Sequence, residues 1–257
     1  MLRWFPCACS LALAAVPAMA GACSDLALVL AVDSSGSVDA DEFALQTRGF
    51  AAAFRDPAVH HALAAAGVVD VAAVFWADPG ATAEIVPWHR VATPGDADAF
   101  AAVIERAGRG IAGDTGIGDG LLAALRLLRQ HGCTARAVVN LSGDGRASNG
   151  PSRNGDRVLA RARAAAADDG VMINALAIAD AEPGLADYYR DSVITGPDAF
   201  GMEVADFSGF GAAVVRKLAR EIRPALLASL AAAATDAPFP QRPLGLNRPD
   251  RSPQDAR

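Results

Sequence analysis

Lysine is nearly absent from this sequence: Lys217 is the only one, and the other basic residues are arginines. The 23 Lys and Arg residues are outnumbered by 29 Asp and Glu residues, which gives a formal net charge of −6. A domain that binds nucleic acid usually carries a basic face or stripe. The charge balance therefore argues against nucleic acid as a partner, and we predict none.

Long apolar runs are also missing from the sequence. A transmembrane helix needs about 20 consecutive apolar residues, and the N-terminal run over residues 4–16 is shorter than that. This run is followed by Ala18-Met19-Ala20, a small-residue motif of the kind that signal peptidase cleaves. We predict a signal peptide over residues 1–20, cleaved after Ala20, and no transmembrane segment in the mature chain.

Cysteine is scarce, with four in the whole chain, two of them inside the predicted signal peptide. Cleavage would leave Cys23 and Cys133, an even pair in an oxidising compartment, for which a disulfide is the expected state. A lipid on Cys23 stays open as an alternative, because small residues precede it. We therefore predict a periplasmic or secreted protein, with a lipoprotein anchored at Cys23 as the alternative.

The body of the chain has the pattern of an α/β domain. Residues 24–230 alternate apolar, strand-like runs with amphipathic, helix-like segments. This alternation is typical of a doubly wound, mostly parallel sheet flanked by helices on both faces. Residues 235–257 are rich in Pro, Arg and Asp without apolar periodicity, and there we predict a disordered tail.

Hydrophobic periodicity predicts the individual strands and helices. The third strand is expected to run antiparallel to the second because a turn precedes it. The predicted strands are residues 26–32, 68–76, 83–88, 135–141, 171–179 and a brief one at 193–194. The predicted helices are residues 39–54, 96–107, 118–130, 156–168, 185–189 and a long closing helix over 206–230.

Three polar clusters lie next to these elements. Asp33-x-Ser35-x-Ser37 follows the first strand, Thr115 precedes a helix in a glycine-rich segment, and Asp144 follows the fourth strand. Taken singly, each has a structural explanation, since such residues cap helices and form tight turns. In a doubly wound sheet, however, ligands bind beyond the strand ends at the point where the strand order reverses. We therefore expect all three clusters at one edge of the sheet.

Together the clusters offer only hard oxygen atoms, which suit Mg²⁺, Mn²⁺ or Ca²⁺ better than Zn²⁺ or copper. They resemble the metal-ion-dependent adhesion site (MIDAS) of von Willebrand factor type A domains. The resemblance to these domains covers about residues 24–222. Six segments also resemble a bacterial secreted family of such domains without an assigned function: LALVLAVDSSGSVDADEF, DTGIGDGL, NLSGDGRASNG, INALAIAD, YYRDSVITGPDAF and RKLAREI.

The resemblance implies a metal site made of Asp33, Ser35, Ser37, Thr115 and Asp144. In similar domains the hydroxyls bind the ion directly and the aspartates often act through water. The ion then lacks direct negative charge and accepts an Asp or Glu carboxylate from a partner protein. The implied function is metal-dependent protein binding with Mg²⁺ (or Mn²⁺ or Ca²⁺), and no enzyme activity.

The same arrangement bears on the two cysteines. Cys23 lies ten residues before Asp33, and Cys133 lies eleven before Asp144. If both aspartates reach one ion at the top of adjacent strands, both cysteines lie near the bottom. Adjacent strands are about 4.8 Å apart, and a disulfide joins Cα atoms about 4.4–6.8 Å apart. The spacing is therefore compatible with a Cys23–Cys133 disulfide.

Two other functions stay open at this point. A metal site that only stabilises the fold would raise the melting temperature without binding a partner. A Mg²⁺-dependent hydrolase or phosphotransfer enzyme is the other alternative. The sequence has no Gly-x-Ser-x-Gly nucleophile elbow, its glycine-rich segment is not a P-loop, and its four histidines lack metal-ligand spacing.

Overall fold

A six-stranded sheet forms the centre of the protein, with the strand order β3-β2-β1-β4-β5-β6. The computed structural model describes residues 23–148, 154–180 and 182–223. Every neighbouring pair of strands is parallel except β2 and β3, which run antiparallel. The strands are β1 Leu26–Asp33, β2 Val69–Trp76, β3 Glu84–Val91, β4 Ala137–Gly143, β5 Met172–Ile178 and β6 Gly201–Val204.

Helices cover both faces of this sheet, which confirms the predicted doubly wound α/β fold. One face is covered by the first three helices and the last, and the other face by the remaining three. The helices of the described residues are α1 Ala40–Phe54, α2 Pro57–Ala66, α3 Pro94–Glu105, α4 Ile117–His131, α5 Gly155–Asp168, α6 Leu185–Ser192 and α7 Phe210–Ile222. None of these helices combines the length and the hydropathy of a membrane-spanning helix.

Strand β1 shows why the sheet is buried on both sides. All of its residues are buried, and they point alternately into two apolar cores. Leu28 and Leu30 belong to the core under α1 and α7, whereas Val29 and Ala31 belong to the core under α4. A near-continuous apolar run is what a strand between two helical layers requires. The continuous apolar run of β1 is therefore what allows helices to pack on both faces of the sheet.

The brief strand predicted at residues 193–194 is wrong. The sixth strand is Gly201–Val204, whereas Val193 is the C-cap of α6 and is fully buried. Residues 193–195 are β-branched and therefore favour a strand locally, but Thr195 forms only an isolated bridge to Ile173. Burial of Val193 in the core under α6 outweighed this local strand preference.

The remaining differences concern element boundaries and one missed helix. The third strand, predicted over 83–88, extends over Glu84–Val91. The predicted closing helix begins later, because Phe207–Gly209 forms a short 3₁₀ helix before α7 starts at Phe210. Helix α2 was not predicted, although Asp56 at its N-cap and Pro57 in its first turn are helix-start signals. The end of the predicted domain at residue 230, the signal peptide (1–20) and the tail (235–257) lie outside the described residues.

Cys23 and Cys133 form a disulfide, which confirms the predicted pair. Their Cα atoms are 5.0 Å apart, and the bond closes a loop of 110 residues. The backbone continues the contact, since the Ser24 N–H donates to the Cys133 carbonyl at 3.3 Å. The disulfide lies at the edge where β1 and β4 begin, and it uses the Cys23 sulfur that lipidation would require.

A buried ion pair joins α7 to the middle of β4. The Lys217 Nζ atom lies 2.7 Å from Glu221 Oε1, and both side chains are 0% exposed. The other oxygen, Glu221 Oε2, accepts a hydrogen bond from the Asn140 side chain at 2.5 Å. Burial lowers the pKa of Lys217, and the neighbouring Glu221 charge opposes that shift. Each charge therefore depends on its partner for compensation.

Removing one member of this pair is expected to destabilise the fold strongly. Glu221→Leu leaves Lys217 buried without its counter-charge, so the free energy of unfolding should fall by about 3–5 kcal/mol. The double variant Lys217→Met/Glu221→Leu should recover most of that loss, because no isolated charge remains. Urea unfolding at neutral pH measures both effects.

The exposed ion pair between Asp187 and Arg190 provides the control. Asp187→Ala should change the free energy of unfolding by less than about 1 kcal/mol, because solvent screens exposed pairs. If Glu221→Leu costs no more than this control, the buried pair contributes nothing specific to the fold.

Candidate metal site

The sheet topology brings the three predicted clusters to one edge. Asp33 is the last residue of β1, and Asp144 directly follows β4. These strands are parallel neighbours, with Val32 paired with Ser142. Thr115 lies two residues before the start of α4, in the loop that leads to this edge. The loops that follow β1 and β4 therefore leave the sheet side by side.

Four of the five predicted residues are linked to one another by short polar contacts. The Ser37 hydroxyl donates to Asp144 Oδ1 at 2.7 Å, and the Ser35 and Ser37 hydroxyl oxygens are 3.3 Å apart. Asp33 Oδ1 accepts a hydrogen bond from the Ser35 backbone N–H at 2.8 Å. The alternate spacing of the motif thus turns its serines toward the carboxylate of a distant loop.

Thr115 reaches the same place from the third loop. Its Oγ1 atom lies 3.5 Å from the position that a Cβ on Gly145 would occupy, beside Asp144. Ser148 holds Thr115 there, because its hydroxyl accepts from the Thr115 N–H at 3.0 Å and its own N–H donates to the Thr115 carbonyl at 2.8 Å. The structure therefore brings Thr115 next to the Asp144 loop, with its hydroxyl free of a hydrogen bond to the other four.

The Asp33 carboxylate is buried without full compensation. Its side chain is 0% exposed, and among the described residues Oδ2 has no hydrogen-bond partner. Burial, followed by the nearby charge of Asp144, raises the pKa of Asp33 to about 7. Burial also raises the pKa of Asp144, and the charges of Asp180 and Glu182 add to this shift. The site thus disfavours negative charge as long as no cation is present.

A divalent cation fits this set of groups. A buried carboxylate is costly unless a counter-charge or a metal compensates it, and the unpartnered Asp33 oxygen identifies where compensation is needed. Across the described part of the chain, no three His, Cys, Asp or Glu side chains are placed to hold a metal. The candidate ligands here are two carboxylates and three hydroxyls, a set of hard oxygens that suits Mg²⁺, Mn²⁺ or Ca²⁺.

Gly143 provides the space for this carboxylate. A Cβ atom at Gly143 would lie 2.8 Å from Asp33 Oδ2 and 2.7 Å from the Tyr189 hydroxyl. Real Cβ contacts are longer than this, so any side chain at Gly143 would displace one of the two oxygens. The last position of β4 therefore requires glycine because of these two oxygens, and not because of the backbone geometry of the strand.

Several supporting residues could not be found from motif spacing. The buried side chain of Gln46 donates to the Asp33 carbonyl at 3.0 Å, and Arg109 donates to the Ser35 carbonyl at 2.7 Å. The Ser34 hydroxyl donates to the Ile111 carbonyl at 2.8 Å. Of these three supporting residues, only Gln46 could have been suspected from the sequence, because it is a polar residue on the buried face of α1. The other two contacts join residues more than 70 positions apart.

The raised pKa of Asp33 predicts the pH dependence of the metal-free protein. In the folded protein Asp33 keeps its proton up to about pH 7, whereas the unfolded chain releases it near 3.8. The folded state therefore binds more protons between these values, and the free energy of unfolding should fall as pH rises from about 4 to about 7.

Asp33→Asn should remove this dependence because it cannot ionise. With chelator present, it should be more stable than wild type at about pH 7.5, by up to about 4 kcal/mol, and similar to wild type at about pH 4. Urea unfolding across this pH range measures the difference. An equal pH dependence in the two proteins would show that Asp33 ionises normally.

Comparisons with other proteins agree with this architecture. The structure resembles the von Willebrand factor type A protein from Catenulispora acidiphila, with a TM-score of 0.55 and 18% identity over 78% of this chain and 43% of that one. Proximal thread matrix protein 1 from the mussel byssus, solved with a zinc-occupied MIDAS motif, gives a TM-score of 0.55 and 18% identity over 77% and 45%.

A mutant of the PilB minor pilin from Streptococcus sanguinis gives a TM-score of 0.58 and 13% identity over 77% of this chain and 61% of that one. This chain thus spans less than two thirds of each of these three proteins. No curated protein matches the sequence. One sequence family, described as "Protein of unknown function (DUF1194)", matches residues 22–226. The chain therefore has the von Willebrand factor type A fold and belongs to the DUF1194 family.

Proposed function

We propose that this protein is a secreted or periplasmic module that binds a partner protein through a divalent cation. Asp33, Ser35, Ser37, Thr115 and Asp144 would hold the cation. The observation that carries the proposal is the buried Asp33 oxygen, which has no hydrogen-bond partner among the described residues and lies beside a second carboxylate and three hydroxyls. A zinc-occupied MIDAS motif in the structurally similar mussel protein supports the same assignment.

The ligand set suggests how binding would work. The hydroxyls of Ser35, Ser37 and Thr115 are neutral donors, so they would leave most of the positive charge of a divalent ion uncompensated. When bound, the ion would act as a Lewis acid toward a carboxylate oxygen from an Asp or Glu of the partner. The Asp33 and Asp144 carboxylates would attract the ion, and Ser37 would keep Asp144 oriented toward it. Mg²⁺ is our first choice, with Mn²⁺ or Ca²⁺ as alternatives.

Secretion is part of the same proposal. The Cys23–Cys133 disulfide is typical of an oxidising compartment and supports it. The proposed mature chain begins after Ala20, with the domain over residues 24–230 and the tail over residues 235–257. A pilus adhesin from Lactobacillus rhamnosus GG is among the structurally similar proteins, which supports a binding role over catalysis.

Partner capture from a periplasmic extract tests the proposal. Wild-type protein should retain a partner in Mg²⁺ and release it in chelator, because the ion completes the interface. Ser37→Ala should lose most of the captured partner, since it removes an exposed ligand and leaves the core intact. Asp33→Ala should lose it as well. Quantitative mass spectrometry of the retained proteins measures each loss.

Asp168→Ala is the matched control, because it removes an equal charge from an exposed position at the end of α5. It should capture the partner as well as wild type. Capture that is unaffected by chelator would overturn the metal bridge. If Mg²⁺ at about 100 times its dissociation constant stabilises the fold by about 2.7 kcal/mol and no partner is captured, the site only stabilises the protein.

A further inference from the structure

Helix α6 contacts the loop that carries Asp144 through the chain's two tyrosines. The Tyr189 hydroxyl donates to the Gly145 carbonyl at 3.0 Å, and the Tyr188 hydroxyl accepts from the Ala147 N–H at 3.3 Å. These bonds reach the backbone directly after Asp144. The segment YYRDSVITGPDAF contributes none of the five candidate ligands. Its first two side chains, however, hold the loop of the proposed site that carries Asp144.

Tyr189 also lies beside the other half of the site. Its side chain is buried, and its hydroxyl and Asp33 Oδ2 both lie within 2.8 Å of the point where a Cβ on Gly143 would be. One phenol thus contacts the loop of Asp144 and borders the Asp33 carboxylate.

A second contact holds the same loop from the outside. Arg146 donates from its backbone N–H to Glu182 Oε2 at 3.0 Å, and its Nε atom lies 2.7 Å from Glu182 Oε1. The Arg146 guanidinium carbon lies 4.8 Å from the centre of the Tyr188 ring. The residues that follow Asp144 are therefore attached to α6 and to the segment before it.

The position of Asp144 depends on the backbone that follows it. Its Oδ1 atom accepts the Ser37 hydrogen bond within the site, and the next residue, Gly145, is held by Tyr189. A shift of this backbone would move the Asp144 carboxylate and weaken the 2.7 Å hydrogen bond from Ser37.

We propose that Tyr189 is a positioning residue of the metal site, and this rests on the proposed function. Its hydroxyl holds the Gly145 carbonyl so that Asp144 stays in the ligand set, and it thereby raises the affinity for the cation. It does not itself contact the cation. The fold of the domain requires the aromatic ring, whereas metal affinity requires the hydroxyl.

Tyr189→Phe separates these two roles because it keeps the ring and removes the hydroxyl. Mn²⁺ binding to the full mature chain, measured by calorimetry, should weaken by about 5-fold, because the ion itself must then supply the ordering of the Asp144 loop that a hydrogen bond of about 1 kcal/mol provided. Thr134→Val is the matched control: it removes a hydroxyl that donates to the Arg136 carbonyl at 2.8 Å, next to the disulfide at the opposite edge. Its Mn²⁺ affinity should equal that of wild type.

A second measurement covers the case in which Tyr189→Phe fails to fold. Wild-type protein labelled with 3-fluorotyrosine has two fluorine resonances, one for each tyrosine. The Tyr189 resonance, assigned by its survival in Tyr188→Phe, should shift when Mg²⁺ binds. A Tyr189 resonance that Mg²⁺ leaves unchanged overturns the positioning role.

The outcomes separate this proposal from the one on which it rests. If wild type binds Mn²⁺ and Tyr189→Phe binds it equally well but melts at a lower temperature in chelator, Tyr189 is only structural. That result overturns the positioning role and leaves the metal site in place. If wild type binds no Mn²⁺, the metal site and the positioning role are both overturned.

Discussion

The buried carboxylate of Asp33 is the constraint on which the rest of this structure depends. It ends the central strand of a sheet that helices cover on both faces, so water cannot compensate its charge. Strand β4 places Asp144 next to it, which makes the ionised form still less favourable. A folded protein retains such an arrangement only if the surrounding structure holds it in place. The polar residues around the site provide that restraint.

These restraints come from every layer of the fold. Gln46 reaches the Asp33 carbonyl from α1, Arg109 binds the backbone of the serine motif, and Tyr189 binds the Asp144 loop from α6. Each of these side chains binds a main-chain carbonyl and does not use the side-chain oxygens of the candidate ligands. The candidate ligands are therefore fixed by their main chains, which is the preorganisation that a metal site needs.

Strand β4 connects the site with the stabilising features at the other end of the molecule. The disulfide at Cys133 precedes the strand, Asn140 in its middle binds the buried Lys217–Glu221 pair, and Asp144 follows its end. The sheet holds β4 between β1 and β5, so its position is set along its whole length. The segments NLSGDGRASNG and RKLAREI, which resembled the family in sequence, thus contact each other through Asn140 and Glu221.

The sequence alone determined the layered α/β fold, because alternating buried strands and amphipathic helices have few other solutions. It also indicated the five candidate oxygen ligands, since each follows or precedes an element whose end must lie at one edge of the sheet. Tertiary structure decided what has no local signal. Val193 entered the core instead of a strand, and the supports at Arg109 and Tyr189 arose only because distant loops meet beside Asp33. Such contacts depend on strand order and packing, and periodicity carries no information about them.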